Sequence, residues 1–407
     1  MVGGIQKLIW YSSPLETVGG GERLLLEGLK WFNEQGIEAS LFADGEPVNK
    51  EALFNELYEP NIIEYNGTAK FGLIKVLKKV GFIKSLNPDI ILANSQVEAS
   101  RIYLHNLFSL RSIKYACFIH GSFFQFPDDM NKYSLIFRSV FHKILNNDVV
   151  YKELIPPRMP KISLLSRIKL EAINLLRYLA VRKASVVFVL TDKQKKEIEL
   201  LYDHRNIVVN HGAFSKTMWN IRFEGDKKAD LGVNGKFMFF SMCRLVAKKR
   251  VDLIIRSFAA FCISDKNAVL VIGGKGPEQE KLRQLTHELG IDQYVFFLGY
   301  VPDDQLLNLY ASCDAFVTAD NADYDITTFV ALALGKKVVA SAQHEFDQCL
   351  SELGLCFHAN PDIEGFAEAF DQAKLVTVKQ VTKERATEIL STYTWEHYFK
   401  KVLNNLV

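Results

Sequence analysis

Two cations, Arg244 and Lys249, follow an apolar run in the stretch FMFFSMCRLVAKKR. Cations in a loop between a strand and a helix suit a diphosphate, because each pairs with oxygens that gain charge as a bond breaks. A solvated basic loop is the alternative interpretation. Glycines follow the next two apolar runs, in VIGGKGP, which contains Gly274, and in FFLGYV, which ends with Tyr300 and Val301.

The N-terminal half carries another glycine-rich turn, TVGGGERLLLEGL, in which Gly20 and Gly21 open a helical pattern. Glycines there let the backbone approach a ligand, and the amino end of a helix favours an anion. The turn is neither a G-x-G-x-x-G fingerprint nor a P-loop, and a purely structural turn is the alternative. His120, in FIHG, ends another apolar run, where it is either structural or lies at the mouth of a ligand cleft.

The stretch NADYDITTFVALALG, from Asn321 to Gly335, has the pattern of a phosphate-binding turn that leads into a buried helix. Within it, Asp323 and Asp325 resemble a metal-binding D-x-D pair. Arg244 and Lys249 already supply positive charge for phosphate, so a helix cap or a substrate contact is favoured over a metal ion. The sequence therefore predicts no metal site.

The elements that must position these residues are apolar runs that alternate with longer helical patterns, which predicts parallel α/β sheets. Continuous β-branched and aromatic runs are typical of buried parallel strands, and the first half contains LIWYS, IEASLFA, DIILAN, KYACFIH and SVVFVL. The rhythm restarts after about His211 with FMFFSMC, AVLVIGG, VFFLGY, AFVTA and KVVAS. A chain of 407 residues is too long for one core, so we expect two domains, with NHGAFSKTMW as the crossing. Ligands then bind at the carboxyl ends of the strands.

Taken together, these motifs resemble glycosyltransferase family 4, whose members are retaining enzymes of the GT-B fold that use nucleotide sugars. The resemblance rests on R-L-x-x-x-K, G-x-G-P, F-L-G-x-V and A-L-A-x-G-x-x-V-V-A-S in the family's order, with GGGE, FIHG and the terminal WEHYFKKVL. It implies two Rossmann-like domains that face a central cleft, residues 1–211 for the acceptor and residues 212–391 for the nucleotide sugar. Residues 392–407 would form a helix that crosses back onto the first domain.

The resemblance implies a role for each matching residue. The residues expected to be catalytic are His120 near the transferred sugar, Arg244 and Lys249 on the diphosphate, and Asp323, which is close enough in sequence to supply a carboxylate. The residues expected to bind the donor are Gly20, Gly21, Gly274, Tyr300, Val301, Asp325, Ile326, Thr327 and Thr328. The backbone near Tyr300 would meet the nucleobase, and the helix that starts near Thr327 would receive phosphate. No cofactor besides the nucleotide-sugar substrate is implied.

The chain departs from the family at the E-x7-E motif, where alignment through ALALGKKVVAS places Ala322 and Val330. In the family the second glutamate binds ribose hydroxyls, and the first lies at the sugar or acceptor. Neither alanine nor valine can accept a hydrogen bond through its side chain. A hydrogen bond to a charged group contributes about 1.5–3 kcal/mol, so the loss would weaken donor binding about 10- to 150-fold. Phosphate and nucleobase contacts remain, so turnover need not be abolished.

Composition is that of an ordinary globular protein, and a net charge of +2 argues against a general nucleic-acid binder. The six cysteines show no C-x-x-C pair and no zinc spacing, which predicts reduced thiols in a cytosolic protein. No secretory signal is apparent, and we expect no membrane-spanning helix.

A basic segment with interleaved apolar residues lies between Lys143 and Lys183, where nine Lys or Arg stand against three Asp or Glu. The pattern fits a core-facing helix with a solvated basic face, or a helix that docks on anionic lipid. Family members that glycosylate lipid-linked acceptors often dock in this way. The aromatic FFQF, from Phe123 to Phe126, would add an interfacial anchor.

We therefore predict a cytoplasmic glycosyltransferase, peripheral on the inner face of the membrane. It would move a sugar from a nucleoside-diphosphate sugar to a glycan or lipid-linked oligosaccharide, with retained anomeric configuration. The alternative is a catalytically inactive relative that binds a glycan or a protein partner as a scaffold. The residues Ala322 and Val330 favour that alternative, and the Arg244 and Lys249 pair opposes it.

Overall fold

The structure is a computed structural model that describes residues 4–13, 20–43, 58–63, 65, 72–110, 112–121, 134–137, 161–216, 219, 226–320, 326–344, 348–377 and 380–406. The chain forms two compact units. Unit 1 contains Met1–His211 together with Trp395–Val407, and unit 2 contains Gly212–Thr394.

The described part of unit 1 contains seven strands: β1 (Lys7–Ser12), β2 (Glu38–Ala43), β3 (Asn61–Ile62), β4 (Ile90–Ala93), β5 (Tyr115–Ile119), β6 (Val187–Val189) and β7 (Ile207–Val209). All pair in parallel, in the order β3-β2-β1-β4-β5-β6-β7. Every residue of β4 and β6 is buried, as expected of continuous apolar runs covered on both faces. The strand order reverses between β1 and β4, which creates the crevice where open α/β sheets bind ligands.

Helices before residue 211 in the described part of unit 1 are α1 (Gly20–Glu34), α2 (Gly72–Ser85), α3 (Gln96–Leu107), α4 (Leu164–Lys183) and α5 (Asp192–Tyr202). Ser95, Ser163 and Thr191 cap α3, α4 and α5, because each side chain accepts a hydrogen bond from a backbone N–H of the first turn. Such caps satisfy donors that have no partner within the helix.

The described part of unit 2 contains six strands: β8 (Phe237–Met242), β9 (Ala268–Gly273), β10 (Val295–Gly299), β11 (Ala315–Thr318), β12 (Lys337–Ser341) and β13 (Cys356–Ala359). They are parallel and lie in the order β10-β9-β8-β11-β12-β13. The order reverses between β8 and β11, so a second crevice lies at their carboxyl ends.

Helices in the described part of unit 2 are α6 (Lys227–Asp230), α7 (Val251–Ser264), α8 (Gln279–Glu288), α9 (Asp303–Ser312), α10 (Ile326–Ala333), α11 (Gln348–Glu352), α12 (Ile363–Leu375) and α13 (Gln380–Leu390). Short 3-10 helices lie at Ala247–Lys249, Asp292–Tyr294 and Ser391–Tyr393. The rings of Phe239 and Phe370 lie 4.6 Å apart and join β8 to α12 in the core. Both units therefore confirm the predicted α/β class with parallel sheets.

The last helix, α14 (Trp395–Leu406), packs within unit 1. Its Phe399 ring lies 5.9 Å from the ring of Phe32 on α1. A Cβ added to Gly28 of α1 would lie 2.5 Å from Trp10 and 2.8 Å from Phe399, so α14 approaches α1 at a position that only glycine permits. The end of the chain therefore returns to the first unit.

Candidate functional site

The loops that follow β8, β9 and β10 are joined by backbone hydrogen bonds at the carboxyl edge of the unit 2 sheet. The N–H of Leu245 donates to the carbonyl of Lys275 at 3.0 Å, and the N–H of Gly274 donates to the carbonyl of Gly299 at 2.6 Å. Arg244 lies in the first of these loops and is exposed. Arg244, the cation predicted to hold a diphosphate, therefore lies in a loop whose position is fixed by hydrogen bonds to the loop that follows β9.

Gly274 and Gly276 are required by the close approach of these loops. A Cβ at Gly274, where φ is +113°, would lie 1.9 Å from the carbonyl oxygen of Cys243, and one at Gly276 would lie 2.1 Å from that of Leu245. Side chains cannot occupy the space of a backbone carbonyl, and a positive φ further favours glycine. Because Cys243 and Leu245 flank Arg244, the two glycines of the G-x-G-P motif determine where the Arg244 loop lies. This packing role is separate from the donor contact predicted for Gly274.

Lys249, Asp320 and His344 form a buried charge cluster across the crevice between β8 and β11. Lys249 Nζ lies 2.5 Å from Asp320 Oδ2, and His344 Nε2 lies 2.5 Å from Asp320 Oδ1. Asp320 is 0% exposed, and its two partners are largely covered. One carboxylate therefore links the loops that follow β8, β11 and β12.

The charges in this cluster fix the ionisation of Asp320. Burial alone raises the pKa of this carboxyl, but His344 and Lys249 outweigh burial and lower the pKa from 3.8 to about 2. A buried carboxyl group without such partners would protonate instead. At neutral pH the Lys249 ammonium is therefore held at the crevice by a negative charge.

The motif analysis missed Asp320 and His344, although each lies within three residues of the end of a strand, Thr318 for β11 and Ser341 for β12. A polar residue two positions after the end of a strand is the feature that would have identified Asp320 in the sequence. Their meeting with Lys249 has no sequence signal, because β11 becomes the neighbour of β8 only in the folded sheet.

Helix α10 begins at Ile326 and carries the residues predicted to receive phosphate. Ile326 and Thr328 are buried, and Thr327 is partly exposed. The Thr328 hydroxyl is buried and, within the part of the chain that the structure describes, has no hydrogen-bond partner. Asp323 and Asp325, predicted just before this helix, lie outside the described residues.

Val330 occupies the position of the second glutamate of the E-x7-E motif, and it is 7% exposed. Its neighbour Phe329 stacks on Tyr393 at 5.2 Å between ring centroids. A glutamate at position 330 would therefore be mostly buried in this conformation. Ala322, at the position of the first glutamate, lies outside the described ranges.

Tyr300 and Val301 follow β10 and have opposite exposures. The Tyr300 side chain is open to solvent, whereas Val301 is buried. Gly299, with φ of +69°, turns the chain between the strand and these two residues. The carboxyl edge of unit 2 thus presents one exposed aromatic ring beside the loop that carries Gly274.

The candidate residues of unit 1 lie at the carboxyl edge of its own sheet. Gly20 and Gly21 begin α1, and a Cβ on Gly21 would meet nothing within 4 Å, so packing does not require glycine there. His120 follows β5 and is half-buried, with its Nε2 atom 3.1 Å from Asn94 Oδ1. Its ring stacks on Phe118 at 6.0 Å between centroids, with 17° between the planes.

The structure thus gathers Arg244, Lys249, Gly274 and the pair Tyr300 and Val301 at one sheet edge of unit 2, and it brings the unit 1 candidates to the equivalent edge of unit 1. Among the described residues, no group of three or more His, Cys, Asp or Glu is arranged to hold a metal ion.

The start of α4 exposes apolar and basic side chains together. Leu164 and Leu165 are each 77% exposed and Ile168 is 58% exposed, while Lys161 and Lys169 are also open to solvent. In the second half of α4, Ala180 and Val181 are fully buried, whereas Leu175 is 48% exposed. The helix thus combines a covered side with exposed apolar and basic side chains. Of the helices in the described ranges, none is both long and apolar enough to cross a bilayer.

Comparison with known families gives a match within unit 2. Residues 223–381 match the family described as Glycosyl transferases group 1. The matched range contains Arg244, Lys249 and the stretch from Tyr300 to Val330. It confirms the resemblance to glycosyltransferases that the motifs predict.

Two curated relatives match part of the chain. An uncharacterized glycosyltransferase of Methanocaldococcus jannaschii is 23% identical over 250 residues, which cover 58% of this chain and 63% of that protein. The alpha-monoglucosyldiacylglycerol synthase of Streptococcus pneumoniae is 23% identical over 179 residues, which cover 43% of this chain and 40% of that protein. The chain thus spans less than two thirds of the length of these curated relatives.

The fold extends over nearly the whole chain in a solved structure. HepE of Anabaena, crystallised in complex with UDP, is similar over 98% of this chain and 99% of its own, with a TM-score of 0.72 and 16% identity. The likeness confirms the predicted fold class, two α/β domains of the GT-B type.

Proposed function

We propose that this chain, whose residues 223–381 match the family of group 1 glycosyl transferases, moves a hexose from a nucleoside-diphosphate sugar to a hydroxyl of a glycan or lipid-linked acceptor, with retained anomeric configuration. The observation that carries the proposal is the position of Arg244 and Lys249 at the crevice between β8 and β11, inside the matched domain. The name of the Methanocaldococcus jannaschii relative, a glycosyltransferase, supports sugar transfer, and the UDP bound to HepE supports a nucleotide-sugar donor.

The donor's diphosphate would be stabilised by two cations and a helix terminus. Arg244 is exposed and offers a planar guanidinium that can pair with two phosphate oxygens at once. Lys249 is already held by Asp320, so it loses little conformational freedom when the diphosphate arrives. The N–H groups at the start of α10 and the Thr328 hydroxyl add hydrogen-bond donors. These groups favour departure of the diphosphate because it gains negative charge as the bond to the sugar breaks.

The rest of the donor would lie along the two sheet edges. The exposed Tyr300 ring suits stacking on a nucleobase, and the backbone near Val301 would meet the base edge. Gly20 and Gly21 would approach the donor phosphate or the acceptor, and His120 would lie near the transferred sugar. The departing phosphate itself accepts the proton of the acceptor hydroxyl in a front-face mechanism, so no protein base is required.

A second candidate function is that of a catalytically inactive, glycan-binding scaffold. The buried Val330 favours it, because the position that would bind the ribose presents no acceptor. Asp320, which precedes α10 in the chain, does carry a carboxylate, but that carboxylate is engaged by Lys249 and His344. The two candidates differ in whether bound nucleotide sugar turns over.

We also propose that the start of α4 docks on anionic lipid. The exposed Leu164, Leu165 and Ile168 would enter the interface, and Lys161 and Lys169 would pair with lipid phosphates. The Streptococcus pneumoniae relative is an alpha-monoglucosyldiacylglycerol synthase, and this name supports an acceptor at a lipid surface. The enzyme would then work as a peripheral protein on the cytoplasmic face of a membrane.

Calorimetry with UDP and GDP tests the diphosphate site. The protein should bind one of them, and Arg244→Ala should weaken that binding by more than about tenfold through loss of a charge-assisted contact. Lys266→Ala is the matched control, because Lys266 is exposed just before β9, at the opposite edge of the same sheet. Equal affinity of Arg244→Ala and Lys266→Ala for the preferred nucleotide would overturn the assignment.

A further inference from the structure

Asn94 links three side chains at the carboxyl edge of the unit 1 sheet, beside the crevice between β1 and β4. Its Oδ1 accepts a hydrogen bond from Trp10 Nε1 at 3.2 Å, and its Nδ2 donates to Ser12 Oγ at 3.1 Å. His120 Nε2 lies 3.1 Å from the same Oδ1. One amide therefore connects β1, the end of β4 and the residue that follows β5.

The chemistry of these groups fixes which nitrogen of His120 carries hydrogen. An indole N–H can only donate, so the Asn94 atom that faces Trp10 must be the carbonyl oxygen. A carbonyl oxygen can only accept, so the His120 Nε2 beside it must carry a hydrogen. In the neutral imidazole the other ring nitrogen, Nδ1, is then the acceptor.

The plane of the His120 ring is fixed as well. It stacks on Phe118, whose other ring neighbours are Trp10 at 5.0 Å and Phe188 at 4.8 Å between centroids. Trp10 and Phe118 are buried, so this stack is part of the core. Turning the ring over would place a carbon where Nε2 now meets Asn94 and would break that hydrogen bond.

We propose that Asn94, oriented by Trp10, is a positioning residue that holds His120 in the Nε2–H tautomer and in one ring orientation beside the transferred sugar. A hydroxyl both donates and accepts, so the tautomer decides which ring nitrogen can accept a hydrogen bond from a hydroxyl of the substrate. The identity of that hydroxyl rests on the proposed function. The tautomer is a property of the free protein and can be measured without any substrate.

Long-range 15N–1H NMR of the full chain with 15N-labelled histidine distinguishes the two tautomers. The chain has nine histidines, and His120→Gln assigns the signal. At about pH 8, where an ordinary imidazole is neutral, wild type should show hydrogen on Nε2 and none on Nδ1. Asn94→Leu should shift His120 towards a mixture of tautomers, whereas Asn94→Asp, which keeps an acceptor oxygen, should retain the Nε2–H pattern. Asn405→Ala, on the exposed face of α14, is the control that should change nothing.

Hydrogen on Nδ1 of His120 in wild type would overturn the proposal, and so would an unchanged Nε2–H pattern in Asn94→Leu. If Asn94→Leu does not fold, the wild-type and Asn94→Asp spectra still decide the tautomer.

Kinetics separates positioning from a merely structural role. Asn94→Leu should lower kcat by about tenfold, which is the rate effect expected when one hydrogen bond is lost from the transition state. Its affinity for the nucleoside diphosphate should stay unchanged, because Arg244 and Lys249 lie in unit 2. An unchanged kcat would overturn the positioning role. Absence of turnover in wild type with every donor would instead count against the proposed function. The NMR experiment would still test the His120 tautomer, because it needs no substrate.

Discussion

Replacing Asp320 by Asn should destabilise unit 2, because it leaves the Lys249 ammonium without its carboxylate partner and weakens the hydrogen bond with His344. Lys249 Nζ and His344 Nε2 each lie 2.5 Å from this carboxylate, which is 0% exposed. Removing one partner of a buried ion pair costs about 3–5 kcal/mol. In a unit of this size each kcal/mol lowers Tm by about 2–4 °C, so we expect Tm to fall by about 6–20 °C.

Differential scanning calorimetry at pH 7 measures this loss against Asp230→Asn as a matched control. Asp230 pairs with Lys227 at 2.9 Å, but 61% of its side chain is exposed. An exposed pair of this kind contributes at most about 1 kcal/mol, so the control should lower Tm by less than about 4 °C. The two variants remove the same charge from the same unit and differ in burial.

The pH dependence gives a second readout of the same carboxylate. The pKa of Asp320 is lowered from 3.8 to about 2 in the folded chain. A lowered pKa contributes stability that is complete above about pH 4 and is lost as the pH falls towards 2, in total about 2 kcal/mol. The Tm difference between wild type and Asp320→Asn should therefore narrow over that interval. Equal Tm values at pH 7, or a difference that does not change between pH 4 and pH 2, would refute the buried charge cluster.

Three further outcomes are expected. Gly274→Ala should destabilise unit 2 by several kcal/mol more than Gly290→Ala in thermal melts, because both positions have positive φ but only Gly274 faces a carbonyl at 1.9 Å; equal losses would contradict the loop packing. Val330→Glu should lower Tm through burial of a carboxylate, should strengthen nucleotide-sugar binding by about 1–3 kcal/mol and should therefore enlarge the rise in Tm that the nucleotide produces; a lower Tm with no larger rise would mean that α10 no longer faces a ribose. Changing Lys161, Arg167 and Lys169 to Glu should reduce the fraction of protein that sediments with anionic vesicles at low salt. Failure of the wild-type protein to sediment with such vesicles would refute membrane docking.

The repeated strand–helix rhythm made the fold class predictable from sequence. Apolar runs such as DIILAN and AVLVIGG lie in β4 and β9, and the rhythm restarts at about the residue where the two units divide. The strands β3, β7 and β13 were not predicted. Each is the outermost strand at one end of its sheet and forms because the neighbouring strand offers a parallel edge, which no local sequence pattern reveals.

The residues of the candidate site could be predicted only where a motif lies within a single loop. Arg244 and the glycines of G-x-G-P stand out in the sequence, but their distances to one another depend on hydrogen bonds between separate loops. Asp320 and His344 come from strands that lie beside β8 only after the sheet has formed. For the same reason, the pairing of Asn94 with Trp10 and His120 could not be predicted from spacing.

Transfer of a labelled sugar from UDP- and GDP-hexoses to lipid-linked or glycan acceptors, with NMR of the product's anomeric centre, tests the proposed activity most directly. We expect one donor to give a product with the donor's own anomeric configuration, at a rate that Arg244→Ala lowers by more than about tenfold and Lys266→Ala leaves unchanged. A product of inverted configuration would contradict the retaining mechanism. Tight nucleotide binding with neither transfer nor hydrolysis for any donor would contradict the enzyme and favour the scaffold.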